Sequence, residues 1–436
     1  MMEIAKLFNK VKDNVLINTS YPLDKSIWKD YRVDKMDLFE NVDELSLYFH
    51  IPFCKNLCKF CEYTRFNNVS KEDMNKYVDL LQDQFTLWIQ NRSISKLYGL
   101  DIGGGTPTCL PNDAFERLMT TIGGLDKNIP TVDNFCKSIE GSFATIDDTK
   151  AKLIGVYGGF KRVSMGVQST SKTILESNDR EVNPLYKMQD VFNRLYKSGV
   201  EKINLDFMYG MNNQTLDSIK DSFKIIDTLQ PQHVTVYETR YNSNNIAPQL
   251  TMVNKDNIYN QYSTIYDELI NRGYKADFGA NTFSKDDHDR GLSSYLYHRM
   301  FNFVPYKGFG ISAQSCSETG ISYNSGKNNK SYLDSLINGK IQEEYIYKLP
   351  VDELVGKYVS VGMYSGEFNL EVIKRLSRKH NTLIDYNSEI RYLLENEMIT
   401  LKGNKVKVTQ KGFKYYGAIA TLFYGNESKK FILGDI

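Results

Sequence analysis

The chain reads as an α/β protein, a partial (β/α)6 barrel followed by a small helical and winged C-terminal domain. Two observations predict it. Six short apolar runs alternate with longer stretches of helical periodicity, and that alternation builds a parallel sheet covered by helices. The residues capable of chemistry then fall at the C-terminal ends of the strand runs, where such folds carry their sites.

The elements follow in order. Ile4, Leu7, Phe8 and Val11 share one helical face within Met1–Val15, predicting a short N-terminal helix docked on the body. Leu45–Ile51 is the first strand. Ser70 stands as the N-cap of a helix over Lys71–Ile89, with Asp73 three residues on. Met74, Tyr77, Val78, Leu81, Phe85 and Trp88 form its apolar face. Further strands are expected at Leu97–Ile102, Cys136–Gly141, Arg162–Gln168, Lys202–Tyr209 and His233–Thr239, separated by helices such as Pro184–Ser198 and Leu216–Leu229. After Asn281 the pattern changes, and Tyr306–Ser315 is Gly-punctuated and strand-like. From Leu349 onwards helices precede a hairpin, Met398–Thr409, that turns at Lys402-Gly403-Asn404. The Asn- and Gly-rich stretches Tyr241–Ile246 and Tyr323–Asn329 read as loops. The division is 1–44 as an N-terminal extension, 45–345 as the barrel with its own extension, and 346–436 as the accessory domain.

Composition excludes several classes. The 436 residues are 41% hydrophobic and 25% charged, enough to bury a large core. A net charge of +1 leaves no electrostatic footprint for nucleic acid and no polybasic membrane patch. No apolar run reaches the ~18 residues of a membrane helix. Met1–Val15 lacks the apolar block and cleavage site of a signal peptide. Three of the six cysteines are clustered and three scattered, which is not a disulfide framework and points to a reducing cytoplasm. The 30 Tyr and 23 Phe, against 2 Trp, fit packing or the flat walls of a substrate cavity.

The cluster of cysteines is Tyr48-Phe-His-Ile-Pro-Phe-Cys54-Lys-Asn-Leu-Cys58-Lys-Phe-Cys61. Three thiolates on a short loop can hold three irons of a [4Fe–4S] cubane and leave the fourth iron open. Zinc is the alternative. A structural zinc takes four N or S ligands, and His50 would have to be the fourth. Gly103-Gly-Gly-Thr-Pro-Thr108 follows the second strand. Its glycines admit backbone close to a ligand, although such a triplet also occurs as a plain turn.

A Cys-x3-Cys-x2-Cys loop after a strand is the signature of the radical S-adenosylmethionine (SAM) superfamily. Tyr48–Cys61 resembles more narrowly its HemN-like branch, that of oxygen-independent coproporphyrinogen III oxidase. The resemblance runs from Thr19 through Gln314 and more faintly to the C terminus. It implies a TIM-type radical SAM barrel whose open iron chelates SAM, with reductive cleavage giving a 5′-deoxyadenosyl radical. Carried over by position, Tyr48, Gly104 and Glu140 contact the SAM at the cluster. Phe60, Gly105, Thr106, Gln168, Arg180 and Asp206 surround a second SAM. Arg240 stands where the family has a small residue near that second molecule, and Gln314 also falls among the cofactor positions. Tyr237 and Glu238, at the sixth strand end, face the expected cavity as candidate catalytic residues. His50 is a family position too, read here as a brace for the cluster loop. Each residue has a plainer reading: Glu140 and Asp206 as caps of the next helix, Arg180 as a surface ion-pair partner, and Cys109, Cys136 and Cys316 as small packing residues.

Three departures from the oxidase matter. Tyr63 stands where the oxidase has a fourth cysteine. Arg240 replaces the small residue. Asp289–Tyr295 lacks the Asn-Phe-Gln-Gly-Tyr stretch expected before the late Gly-rich strand. Ile139-Glu140-Gly141 leans towards class C methyltransferases and cyclopropane-forming enzymes. The reading is therefore a monomeric two-SAM radical enzyme, served by a flavodoxin- or ferredoxin-type electron donor. It would transfer a methyl or methylene unit to an unsaturated or peptide-derived small substrate. A coproporphyrinogen oxidase-like or haem-modifying enzyme, or a haem chaperone, is the alternative.

Overall fold

The apolar runs pair side by side in sequence order. This computed structural model describes residues 2–12, 21, 25–240, 255–325, 339–341 and 343–433. Among these residues the strands are β1 (Arg32–Val33), β2 (Glu44–Ile51), β3 (Lys96–Gly104), β4 (Lys137–Gly141), β5 (Arg162–Gln168), β6 (Lys202–Tyr209), β7 (His233–Glu238), β8 (Thr282–Ser284), β9 (Tyr306–Phe309), β10 (Gln314–Ser317), β11 (Gly320–Asn324), β12 (Glu343–Lys348), β13 (Glu367–Asn369), β14 (Ile399–Lys402) and β15 (Lys405–Val408). The first twelve form one sheet in the order β1-β12-β11-β10-β9-β2-β3-β4-β5-β6-β7-β8. Neighbours from β9 through β7 are parallel, and both flanks are antiparallel.

Strands β2 to β7 are the six expected from the sequence, and together they give the α/β, partial-barrel architecture. Alternation sorts their faces. In β2, Leu45, Leu47, Phe49 and Ile51 are buried towards the helices, while Tyr48 and His50 take the other face. Register places polar residues beside Tyr48 and His50 around the interior. Tyr48 pairs with Asp101, Asp101 with Ser138, and Ser138 with Arg162; one layer up, Glu140 pairs with Ser164, Ser164 with Asn204, and Asp206 with Thr235. The predicted strand Tyr306–Ser315 is two strands. Gly310, at φ 93°, turns the chain back so that β9 joins the parallel set and β10 reverses.

The helices sit close to their predicted bounds. Helix α1 (Met2–Val11) buries Phe8 and Val11, with Phe8 against the rings of Tyr392 and Tyr415. Helix α2 (Lys71–Gln90) starts at Ser70, whose hydroxyl accepts the Asp73 N–H at 3.0 Å. Helices Leu185–Lys197 and Leu216–Leu229 also form. No helix among the described residues is long and apolar enough to cross a membrane. The C-terminal part holds a three-stranded sheet, β13-β15-β14, with Lys402 opposite Lys405 in the expected hairpin. Glu353 ties three parts of the chain together. Its carboxylate accepts from the Tyr21 hydroxyl at 2.5 Å and from Ser428 Oγ at 2.8 Å, and Gly425 N–H donates to the Tyr21 oxygen at 3.2 Å. Met1, Val15, Thr19, Ser20, Pro22 and the loop positions 241–246 and 326–329 lie outside the described residues.

The segment 289–295, which departs from the oxidase pattern, fills the N-terminal end of the barrel. Arg162 donates to Ser138 Oγ (3.1 Å), to the Gly291 carbonyl (3.1 Å) and to His233 Nδ1 (3.3 Å). That leaves the proton of His233 on Nε2, which donates to Asp289 at 3.0 Å. Ser293 donates to Asp101 at 2.6 Å.

One buried hydroxyl joins α2, β2 and the turn after β9. Tyr77 donates to the His50 carbonyl at 2.6 Å and accepts from the Ile311 N–H at 3.1 Å. Tyr77→Phe leaves both backbone groups unmatched, at a cost of about 1–3 kcal/mol. The expected result is a lower urea midpoint at unchanged slope; an unchanged midpoint would show that neither bond stabilises the fold.

Candidate functional site

The loop after β2 carries the three clustered cysteines and is held at both ends by backbone bonds. Cys54 N–H donates to Phe66 O at 2.9 Å, Phe66 N–H to Pro52 O at 2.6 Å, and Cys61 N–H to Cys58 O at 3.2 Å. Arg65 folds back onto the Cys58 carbonyl at 2.7 Å and the Tyr63 carbonyl at 3.0 Å. From the other side, Asn178 O accepts the Lys59 N–H at 3.1 Å. The Arg180 guanidinium reaches Cys58 Sγ at 3.6 Å and also bonds the Gly166 carbonyl. Burial pushes the Cys54 thiol up to about 12 and raises that of Cys61, so both are thiols until a metal displaces the proton. Among the described residues no three His, Cys, Asp or Glu side chains are grouped to share one metal ion. A cubane spreads its thiolates over separate irons, so it asks for a wider spacing than a mononuclear ion does.

The Gly-rich turn closes over this loop. Gly105 N–H donates to Ile51 O at 2.8 Å and Thr106 N–H to Phe53 O at 2.7 Å. The Thr106 hydroxyl lies 3.6 Å from Cys54 Sγ. A Cβ on Gly103 would stand 2.8 Å from the Glu140 carboxylate. On Gly104, at φ 116°, it would stand 2.5 Å from the His50 ring. Gly104 is required by its left-handed backbone and the His50 ring, and a side chain at Gly103 would displace the Glu140 carboxylate. Glu140 accepts the Gly104 N–H at 3.1 Å. Burial, followed by the charge of Asp206, raises its carboxyl to about 7. Tyr48 stacks on Tyr295 with ring centroids 5.8 Å apart.

His50 serves as the brace expected of it. A carbonyl can only accept, so its Nε2–H donates to Thr64 O at 3.1 Å, and Nδ1 accepts from the Tyr48 hydroxyl at 3.2 Å. Burial lowers its pKa to about 4 and keeps it neutral.

The second group of predicted residues lines the far side. Asp206 accepts from Ser164 at 3.0 Å and Asn204 at 2.7 Å, and burial raises its pKa. Gln168 ends β5 at φ 69°, and its Oε1 is buried with no hydrogen-bond partner. Phe60 is half-buried. At the mouth, Tyr63 is 61% and Tyr237 37% exposed. Desolvation of the hydroxyl and the charge of Glu140 disfavour the Tyr63 phenolate; desolvation and then the charge of Asp206 do the same for Tyr237. Arg240 pairs with Glu62 at 3.6 Å and lies over the Tyr364 ring at 5.3 Å. Glu238 accepts from the Tyr416 hydroxyl at 2.5 Å, so the predicted catalytic carboxylate is joined to the C-terminal part. Gln314 bonds Tyr323 at 2.8 Å, Lys357 at 3.0 Å and the Tyr306 hydroxyl. None of these is one of the other predicted SAM positions.

Sequence reasoning missed Asp101 and Arg65. Asp101 lies in the barrel interior with Oδ1 unpartnered, and burial raises it to about 7. Its signal was legible: a lone carboxylate between Leu100 and Ile102 in a buried strand.

Comparison with known proteins identifies the scaffold. Residues 48–226 match the Radical SAM superfamily. Over this part the chain resembles a radical SAM domain. The superfamily implies a [4Fe–4S] cluster and SAM, and the donor set above fits them: three thiols on one loop, a glycine cradle, and buried polar atoms with few partners. Around the domain the chain resembles HemN-like proteins over most of its length. The heme chaperone HemW of Lactococcus lactis subsp. lactis is 25% identical over 401 residues, 90% of this chain and 98% of its own. The oxygen-independent coproporphyrinogen III oxidase of Synechocystis sp. is 24% identical over 466 residues, 98% of this chain and 96% of its own. The solved structure of coproporphyrinogen III oxidase (HemN) from Escherichia coli shares the fold, with a TM-score of 0.74 at 21% identity, covering 94% of this chain and 97% of that one. The expected kinship with class C methyltransferases and cyclopropanases finds no support in these relatives, which favour the haem-related alternative.

The neutral His50 makes stability depend on pH. The unfolded chain takes up a proton near pH 6.5, whereas the folded imidazole resists it until about pH 4. Stability attached to His50 is therefore present above pH 6.5 and lost as pH falls towards 4, by at most about 3 kcal/mol. Urea midpoints between pH 7 and 4.5 should fall more steeply for the wild type than for His50→Asn. Parallel slopes would contradict the buried neutral imidazole.

Proposed function

We propose that the chain is a radical SAM protein directed at a tetrapyrrole, with Cys54, Cys58 and Cys61 holding the [4Fe–4S] cluster. The observation that carries this is the pairing of those thiols with a cradle for SAM, in a chain that aligns nearly end to end with haem chaperones and coproporphyrinogen oxidases. When bound, the cluster and SAM supply a carbon-centred radical able to remove a hydrogen atom from substrate. The protein supplies position and charge. Gly104 and Glu140 offer a backbone surface and a carboxylate to the amino and ribose groups of SAM. His50 and Tyr48 keep the loop and the cradle in register. Flavodoxin- or ferredoxin-type proteins suit the role of electron donor, and the chain acts as a monomer in this reading.

Two features support the substrate class. The rings of Tyr63 and Tyr237 are exposed at the mouth above the carboxylates of Glu140 and Asp206, and a flat macrocycle can stack on such rings. Arg240 beside them can exchange Glu62 for a substrate carboxylate in a two-pronged bond. A second SAM is the finer reading, with Phe60, Gly105, Thr106, Gln168, Arg180 and Asp206 around it. The unpartnered Gln168 oxygen supports it. Arg180 would have to leave Cys58 to take that molecule's carboxylate.

After anaerobic reconstitution the wild type is expected to hold four irons, to absorb near ~400 nm and to yield 5′-deoxyadenosine from SAM under a low-potential reductant. The Cys54→Ala, Cys58→Ala, Cys61→Ala triple variant should do none of these; iron retained by it would refute the cluster assignment. Haem and coproporphyrin titrations should show binding that Arg240→Gln weakens about tenfold, while porphyrin methyl esters are unaffected. No binding of any tetrapyrrole would overturn the substrate class.

A further inference from the structure

Between strands β9 and β10 and the helix Val351–Gly362 lies a narrow cavity that the proposed function leaves unused. It admits the centre of a water-sized body over about 10 Å³, room for one water or one monatomic ion. Two of its walls carry positive charge, Arg299 and Lys357. Arg299 comes from a single π-helical turn, His298–Asn302, which Phe303 ends in the left-handed conformation at φ 51°. Such turns are rare and recur at binding sites. Arg299 Nη1 donates to the Tyr295 hydroxyl at 3.2 Å, and the guanidinium lies over the Tyr306 ring at 4.7 Å. Lys357 stands in the middle of the buried helix and is 1% exposed. Its ammonium donates to Gln314 Oε1 at 3.0 Å, and that oxygen also accepts from the Tyr306 hydroxyl. Both cations are thus tied to Tyr306, one over its ring and one through Gln314. No carboxylate is among the described residues that line the cavity. Burial, and then the charge of Arg299, lowers the Lys357 pKa well below the ordinary lysine value. Cys316, also in the wall, stays a thiol: burial pushes it up to about 11 even beside the two cations. Phe303, Val304, Pro305 and Val361 make the rest of the wall apolar.

We propose that this cavity binds one chloride ion, held by the Lys357 ammonium and the Arg299 guanidinium. A halide is the anion that fits. It is a single atom, it accepts N–H donors from any direction, and it tolerates an apolar wall. Phosphate, sulfate and carboxylates are too large for the space. The ion offsets the repulsion between the two cations and part of the cost of burying Lys357. Its place gives it a reach into the candidate site. Arg299 holds the Tyr295 hydroxyl, and the Tyr295 ring stacks on Tyr48. The chloride therefore fixes a joint between the helix Val351–Gly362 and the floor of the barrel. The proposal stands apart from the reading of the substrate.

The test uses the full-length chain exchanged into sodium gluconate, then titrated with sodium chloride or sodium bromide at constant ionic strength. Thermal unfolding should show a saturating rise in Tm of roughly 1–2 °C with either halide. Lys357→Met replaces the ammonium by an apolar group of similar length and should lose that rise. Bromide scatters anomalously, so wild-type crystals soaked in bromide should show an anomalous peak inside the cavity, a result that does not require the variant to fold. Density without an anomalous peak there, as a water would give, would overturn the proposal. An equal halide response in a folded Lys357→Met chain would overturn it too.

Discussion

His50 occupies the joint from which the site is built. Its carbonyl is tied to helix α2 through Tyr77, its Nε2 to the far end of the cysteine loop through Thr64, and its Nδ1 to Tyr48. Its ring fills the space that a side chain on residue 104 would take. One buried, neutral imidazole therefore sets the distance between a loop rich in thiols and the glycine turn. Asparagine or glutamine could supply one of these bonds but not both with the same flat body. Glycine at 104 follows from histidine at 50, so the two motifs are one packing unit although they are more than fifty residues apart in the chain.

The interior above that joint is acidic. Asp101, Glu140 and Asp206 face a common space, and burial holds all three above their ordinary pKa values. Arg162 is the main counter-charge, but its guanidinium is committed to Ser138, His233 and the Gly291 carbonyl at the closed end. At the open end Arg180 is held by Cys58 and the Gly166 carbonyl, and Arg240 by Glu62. A ligand carrying an ammonium or sulfonium group would lower the Glu140 pKa and release the cost of burying it. This is a physical reason for a cationic cofactor to settle on that side, separate from any likeness to other proteins.

The strands and helices were legible because each is locally consistent. Leu45, Leu47, Phe49 and Ile51 alternate as a strand must, and Ser70 with Asp73 announces a helix start. The cysteine loop and the glycine turn were legible because their residue types are scarce and tightly spaced. What the chain hides are contacts made by remote segments. Nothing near Glu238 in sequence announces Tyr416. Arg180 was read as a partner for a ligand carboxylate and is found on Cys58, because the turn at Asn178 docks on the loop through Lys59. The split of Tyr306–Ser315 into two strands depends on the left-handed backbone of Gly310, which periodicity does not reveal.

Glu353 gives the chain a constraint in time. Its carboxylate is buried, and two of its partners, Tyr21 and Ser428, are far apart along the chain. During synthesis on the ribosome, Ser428 emerges 407 residues after Tyr21. Until then the N-terminal segment that carries Tyr21 cannot complete the bonds that make burial of Glu353 tolerable. The barrel strands and the cysteine loop, by contrast, are finished well before. A nascent chain thus passes through an interval in which the cysteine loop is formed and the clasp at Glu353 is still open.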